Sequence, residues 1–75
     1  MQKMTSARWE RMKSAFNSAP ELARAAGVPV KRYELFEGGG KYRRLTMDEA
    51  AAVARVLNVP VGVICKPDGL PHVFQ

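Results

Sequence analysis

The sequence predicts an all-α fold, a compact bundle of about five short helices that ends in a short extended tail. Apolar residues recur at helical spacing in several short segments, and residues that start or stop helices bound most of these segments. With 75 residues, the chain makes one small domain, residues 1–75. Such a domain buries only about 60% of its unfolded surface, so a large enclosed active site is not expected.

The first helix is predicted to start after a cap at Thr5 or Ser6 and to run to about Phe16. Trp9, Met12 and Phe16 follow at i, i+3 and i+7, which places them on one face of a helix. This stripe is expected to face the core. The cluster that we expect it to join contains Leu22, Phe36, Val53 and Leu57.

Residues 18–39 predict two short helices joined by a tight turn. Ser18 begins a capping box with Glu21, in which each side chain accepts from the backbone amide of the other residue. Gly27 ends this helix (19–26) where a left-handed residue is favoured, and Pro29 begins the next (29–37).

Tyr33 and Phe36 lie three residues apart and form the inward face of the third helix. A small Ala23 together with Gly27 lets the two helices cross closely. This is the pattern of a helix-turn-helix, whose second helix can enter the major groove of DNA.

A fourth helix is predicted over 46–57, with a capping box from Thr46 to Glu49, and a short fifth helix over 60–65. Residues 66–75 are expected to form a turn and an extended tail. The apolar residues of the tail can pack back on the first helix or pair with the same segment of a second chain, and we favour the second arrangement. The residues of the fourth helix expected to face inward are Met47, Ala50, Val53, Ala54 and Leu57.

Together the motif and the fourth helix resemble the Cro/C1-type (XRE-like) helix-turn-helix family of phage repressors, Cro proteins and antitoxins. The resemblance covers roughly residues 6–65 and implies a lambda repressor-like DNA-binding domain. The chain departs from the family pattern at Pro29, where a Ser usually caps the recognition helix, and at Tyr33, where Ile or Val is usual. The matching residues are Ser18, Glu21, Leu22, Ala23, Gly27, Val28, Tyr33, Phe36, Glu37 and Gly39.

The resemblance implies that the outward face of the third helix lies against base edges. It also implies that Glu37 pairs with Arg11 or Arg8 of the first helix and so supports the motif. The alternative is that Val30 and Leu35, the two apolar residues of the outward face, are buried against another part of the chain or against a partner. The predicted base-reading residues are Val30, Lys31, Arg32, Glu34 and Leu35.

The segment that follows the third helix combines glycines with cations, which suits contact with the phosphate backbone. A nucleotide-binding loop is excluded because no Gly-Lys-Ser/Thr follows the glycines and no strand precedes them. A flexible solvated loop remains the alternative. The predicted phosphate-binding residues are Gly39, Gly40, Lys41, Tyr42, Arg43 and Arg44.

The net charge of +5 is unevenly distributed, because residues 1–44 carry +6 and residues 45–75 carry −1. A basic field beside the motif attracts polyanions, and double-stranded DNA is the partner that it favours over simple solvation of a small protein.

No catalytic set, metal site or cofactor site is predicted, and neither a small-molecule substrate nor a membrane is expected as a partner. The one cysteine, Cys65, is expected to pack as a small apolar group, and His72 has no metal partners at ligand spacing. The absence of an apolar signal segment favours a cytoplasmic protein.

These features predict a sequence-specific DNA-binding transcriptional regulator that acts as a homodimer, because one motif reads only a few base pairs. The alternative is a protein-binding module on the same fold, such as an antitoxin or a phage inhibitor of a host protein.

Overall fold

The computed structural model describes residues 4–39 and 44–74. They form five short helices and one pair of two-residue strands, which confirms the all-α class. None of the described helices is long and apolar enough to cross a membrane. In chain order the elements are β1 (Met4–Thr5), α1 (Ser6–Met12), α2 (Ala19–Ala26), α3 (Val30–Gly38), α4 (Met47–Leu57), α5 (Val61–Ile64) and β2 (Val73–Phe74).

The helix ends follow the local signals of the sequence closely. Ser18 caps α2 by accepting from the Glu21 amide, and Gly27 ends this helix at φ 73°. The Glu21 carboxylate accepts from the Asn17 amide at 3.3 Å rather than from the Ser18 amide, so only half of the predicted capping box forms.

Thr46 and Glu49 form the complete capping box of α4, which begins at Met47 because Thr46 is its N-cap, so the helix spans 47–57 rather than the predicted 46–57. Pro29 is the N-cap of α3 and makes no side-chain hydrogen bond to the helix. Helix α3 therefore begins at Val30, and it spans 30–38 rather than the predicted 29–37.

The ends of two other helices differ from the prediction. Helix α1 ends at Met12 instead of continuing to about Phe16. The hydroxyl of Ser14 accepts from the Phe16 amide and donates to the Arg11 carbonyl, which turns the chain away from the helix axis. The fifth helix spans 61–64 and is one residue shorter at each end than predicted.

The core lies where α2 packs against α3 and α4, and α5 closes it against α1. Leu22, Phe36 and Val53 are buried in it as predicted, whereas Leu57 is only half-buried at its edge. The fully buried side chains of largest volume are Tyr33, Phe36, Leu22, Ile64, Val53 and Thr5.

The prediction that Trp9 and Met12 face the core is wrong, since they are 44% and 56% exposed. Helix α1 buries its small residues Ser6 and Ala7 instead, which brings it close to its neighbours. Met47, also predicted to face inward, is 49% exposed in the first turn of α4.

The C-terminal segment is extended, as predicted, and pairs within the chain. Strand β2 is antiparallel to β1, with Met4 opposite Phe74 and Thr5 opposite Val73. Directly after β1, the Ser6 amide donates a hydrogen bond to the His72 carbonyl, which directly precedes β2, at 2.9 Å. The tail therefore satisfies its backbone without the same segment of a second chain, which is the partner that the sequence favours.

Candidate nucleic-acid interface

Helices α2 and α3 are joined by a three-residue turn that is held from both sides. The Val28 amide donates to the Ala23 carbonyl at 2.9 Å, and the Val28 side chain is buried beneath the turn. The Tyr33 amide donates to the Pro29 carbonyl at 3.0 Å, which closes the first turn of α3. The two helices therefore form one rigid helix-turn-helix unit.

The inner face of α3 is buried along its length. The rings of Tyr33 and Phe36 lie with their centroids 6.0 Å apart, and both side chains are fully buried. Glu37 is the third buried residue of this helix, with 6% exposure. A carboxylate at such a position requires a partner, because burying an unpaired charge is costly.

Arg11 of α1 is that partner, rather than Arg8. Its Nε donates to both carboxylate oxygens of Glu37, at 2.9 and 3.1 Å, and its Nη2 donates to Oε1 at 2.7 Å. This two-nitrogen geometry matches the planar fork of guanidinium to a carboxylate. The hydrogen bond from Arg11 to Glu37 raises the pKa of Arg11 despite partial burial, and the ion pair ties α1 to α3.

The C-terminal end of α3 is fixed by Thr5. The Thr5 hydroxyl donates to the Glu37 carbonyl at 2.9 Å and accepts from the Arg8 amide at 3.1 Å, so one side chain caps α1 and holds α3. Gly39 ends α3 at φ 75°, and a Cβ there would lie 3.0 Å from the Thr5 methyl group. Glycine fits this position on both grounds.

One buried polar atom of α3 has no hydrogen-bond partner among the described residues, the Tyr33 hydroxyl. Burial raises the pKa of Tyr33, and the nearby negative charge of Glu37 raises it further. The atomic positions give no hydrogen bond between the Tyr33 hydroxyl and Glu37, so the charge of the carboxylate acts on the hydroxyl through space.

The outer face of α3 carries four of the five predicted base-reading residues. Lys31, Arg32, Glu34 and Leu35 are exposed, and Leu35 is 41% exposed. Val30 does not point fully outward as predicted, because it is half-buried and packs against the core.

Glu34 also borders a shallow groove of about 210 Å³ between α1, α3 and the start of α2. This groove is open to solvent and is shaped as a surface cleft rather than as an enclosed site. Its lining consists of Arg8, Arg11, Ala19, Glu34, Glu37 and Gly38.

Among the predicted phosphate-binding residues, the structure describes two. Gly39 is half-buried at the end of α3, and Arg44 is exposed just before α4. Gly40, Lys41, Tyr42 and Arg43 lie outside the described residues.

Cys65 is buried and its Sγ donates to the Lys66 carbonyl at 3.3 Å. Burial raises the pKa of Cys65, which keeps the thiol protonated. Its surroundings are those of a small packed side chain.

Glu49 is a residue of this surface that the sequence indicated only as a helix cap. Its Oε1 lies 3.3 Å from Nη2 of Arg32, so it joins the start of α4 to the outer face of α3. The capping box indicated where Glu49 sits on α4, but which residue of α3 it would meet depends on how the two helices pack.

No family model, curated protein or solved structure matches this chain. Its function is therefore inferred from its own residues and their geometry.

Proposed function

We propose that the protein is a sequence-specific, double-stranded DNA-binding transcriptional regulator that places α3 in the major groove. The observation that carries this proposal is the two-sided character of α3. Its inner face is fixed by Tyr33, Phe36 and the Arg11–Glu37 pair, whereas its outer face presents charged side chains to solvent. A helix fixed in this way can hold side chains at base edges without reorganising.

The exposed residues of α3 offer three different contacts to base pairs. Lys31 can donate to guanine O6 or N7, Glu34 can accept from cytosine N4, and Leu35 can contact the thymine methyl group. Arg32, at the flank, suits a base or a phosphate. Val30 adds only the part of its side chain that the core leaves exposed.

Positive charge supports the same function. The chain carries +5 overall, and its cations are concentrated in the half that contains α3. Arg44 is exposed beside α4, and with Lys41 and Arg43 it would supply phosphate contacts that position the protein without reading sequence.

A homodimer is part of the proposal, since a single α3 reads only a few base pairs. Two copies related by a two-fold axis would place their recognition helices about 34 Å apart, one turn of DNA. The surface that we assign to this contact is α5 with β2, where Val63 and Val73 are 38% and 36% exposed.

The test is selection of bound sequences from a random duplex library, followed by affinity measurements on the best site. Lys31→Ala and Glu34→Ala should each relax preference at one or two base positions, at a cost of roughly 1–3 kcal/mol. Lys66→Ala is the matched control, because it removes an exposed lysine outside α3. Equal losses on the selected site and on random duplex would exclude base reading by these residues.

Phosphate binding has a separate test. The triple change of Lys41, Arg43 and Arg44 to Ala should weaken binding to all duplexes alike. It should also reduce the salt slope by about one unit for each phosphate that the variant no longer neutralises. An unchanged slope would contradict the phosphate-binding role.

A protein-binding module on the same fold is the second candidate. The observation that favours it is the exposure of Trp9 and Met12 side by side on α1, with Lys13 Nζ 5.5 Å from the centre of the Trp9 ring. Electrophoretic mobility with a random duplex pool at two salt concentrations separates the two functions. Retardation that weakens with salt supports DNA binding, and no retardation at either concentration supports the protein-binding module.

A further inference from the structure

The carboxylate of Glu49 makes two contacts at once. Its Oε1 accepts from the Thr46 amide at 2.8 Å and lies 3.3 Å from Nη2 of Arg32. The Glu49 amide in turn donates to the Thr46 hydroxyl at 3.1 Å. Glu49 is thus held at the start of α4 by the capping box, whether or not Arg32 is present.

Arg32 is the movable partner of this pair. Its side chain is 49% exposed, against 18% for Glu49. An exposed arginine in single contact with a carboxylate can exchange that contact for another anion at little cost, because such pairs are weak and screened by salt. The Glu49 carboxylate is therefore fixed in place, whereas the Arg32 guanidinium can move to another anion.

We propose that Glu49 holds Arg32 in the free protein in place of an anionic oxygen of DNA, and that Arg32 leaves Glu49 when α3 enters the groove. This inference rests on the proposed function. Carboxylate and phosphate oxygens make the same kind of charge-assisted hydrogen bond to guanidinium, so they compete for it. Glu49 then lowers the affinity of the protein for duplex DNA of any sequence, random sequence included.

The salt dependence gives this competition a measurable signature. Salt weakens the exposed pair of Arg32 and Glu49 as well as the contact of Arg32 with phosphate, so Glu49 competes less as the salt concentration rises. Removal of the Glu49 charge should therefore make the fall of DNA affinity with salt steeper.

The opposite role for Glu49 is that of a positioning residue, which keeps Arg32 aimed at the DNA in the complex. The two roles differ in sign. Removal of the Glu49 charge tightens binding if Glu49 competes with DNA, and weakens binding if Glu49 positions Arg32.

The experiment compares Glu49→Gln with Asp48→Asn on a random-sequence duplex at several salt concentrations. Glutamine at this position can still complete the capping box, so Glu49→Gln removes the charge and keeps the cap. Asp48 is exposed in the same helical turn and makes no ion pair with a described residue, so Asp48→Asn controls for the general change in charge. Thermal unfolding of both variants checks that the fold is retained.

Glu49→Gln is expected to bind about two- to five-fold more tightly than Asp48→Asn, the range that an exposed ion pair allows. Its salt slope should also be steeper, and both differences should vanish when Arg32→Ala is added. These results would support the competition.

Equal affinities and slopes for Glu49→Gln and Asp48→Asn would overturn it, as would weaker binding by Glu49→Gln, which assigns the positioning role. If the wild-type protein binds the duplex with a salt-dependent affinity in those cases, the proposed function stands and only this inference fails. If the wild-type protein and both variants bind no duplex, the proposed function and the inference fail together.

Discussion

Two arginine–glutamate pairs flank α3, and they differ in nearly every physical respect. Arg11 and Glu37, on the inner side, are 12% and 6% exposed and are joined by three hydrogen bonds. Arg32 and Glu49, on the outer side, meet through one contact at 3.3 Å with the arginine half in solvent. The same two residue types therefore form a buried ion pair that fixes the inner side of α3 and an exposed ion pair on its outer side.

Burial is the cause of this difference. The inner pair is shielded from water and salt, and neither partner can lose the other without leaving a desolvated charge. The outer pair remains in contact with water, which can replace either partner. The DNA-reading role that we propose for α3 needs both properties, because the backbone of the helix must stay in place while its outer side chains change partners.

Breaking the inner pair should have the largest effect. Arg11→Met leaves the Glu37 carboxylate buried without its cation and should lower the free energy of unfolding by about 3 kcal/mol. That is a large share of the total for a small domain. Urea unfolding at equilibrium measures it.

The double variant Arg11→Met with Glu37→Leu is the control for this prediction. Replacing both charges with apolar groups should be less damaging than removing one of them. A single variant within about 1 kcal/mol of the wild type would show that the inner pair is no tighter than an ordinary surface pair.

An intermediate effect is expected at Tyr33, whose hydroxyl lies beside the inner pair. Burial and then the Glu37 charge raise the pKa of Tyr33, so the folded chain keeps the hydroxyl protonated where the unfolded chain ionises. The resulting stability is present below the unfolded pKa of about 10 and is lost as pH rises above it towards the folded pKa, by up to about 1.4 kcal/mol per pH unit.

Tyr33→Phe should remove this dependence. Near pH 8 the variant should match the wild type within about 1 kcal/mol, because the hydroxyl that it removes makes no hydrogen bond with a described residue. At about pH 11 it should keep stability that the wild type loses. Urea unfolding across this range measures the difference, and groups such as Cys65 titrate equally in both proteins. Parallel pH profiles would contradict the prediction.

The smallest effect is expected at the outer pair. Arg32→Ala should change the free energy of unfolding by no more than about 0.5 kcal/mol, since the pair is exposed and Glu49 keeps its cap without it. Thermal unfolding measures the change, with Lys31→Ala as the matched exposed control on α3. A destabilisation comparable to that of Arg11→Met would make the two pairs alike.

The helices could be predicted from sequence wherever a side chain or a glycine fixes the backbone locally. Ser18 and Gly27 bound α2, and Thr46 and Asn58 bound α4, as their types indicate. The class and the order of the helices followed from these local signals.

The orientation of α1 could not be predicted in the same way, because it depends on a contact with a distant residue. Arg11 must face inward to reach Glu37. Trp9 lies two positions before Arg11, and on a helix such a residue points about 160° away. Trp9 is therefore turned towards solvent, although its apolar character favours the core. No local pattern predicts the ion pair between Arg32 and Glu49 either, since only the packing of α3 beside α4 brings the two residues together.

The pairing of β1 with β2 has a consequence for the order of assembly. It joins Met4 to Phe74 and so closes a loop of nearly the whole chain, whereas α2 and α3 meet across a three-residue turn. Closing a long loop costs more entropy than closing a short one, so the strands should come together after the transition state for folding. Substitutions in this ribbon, such as Val73→Ala, should accelerate unfolding and leave the folding rate nearly unchanged. The lifetime of the native state is then set partly where β1 meets β2, far along the sequence from the helix that we propose to enter DNA.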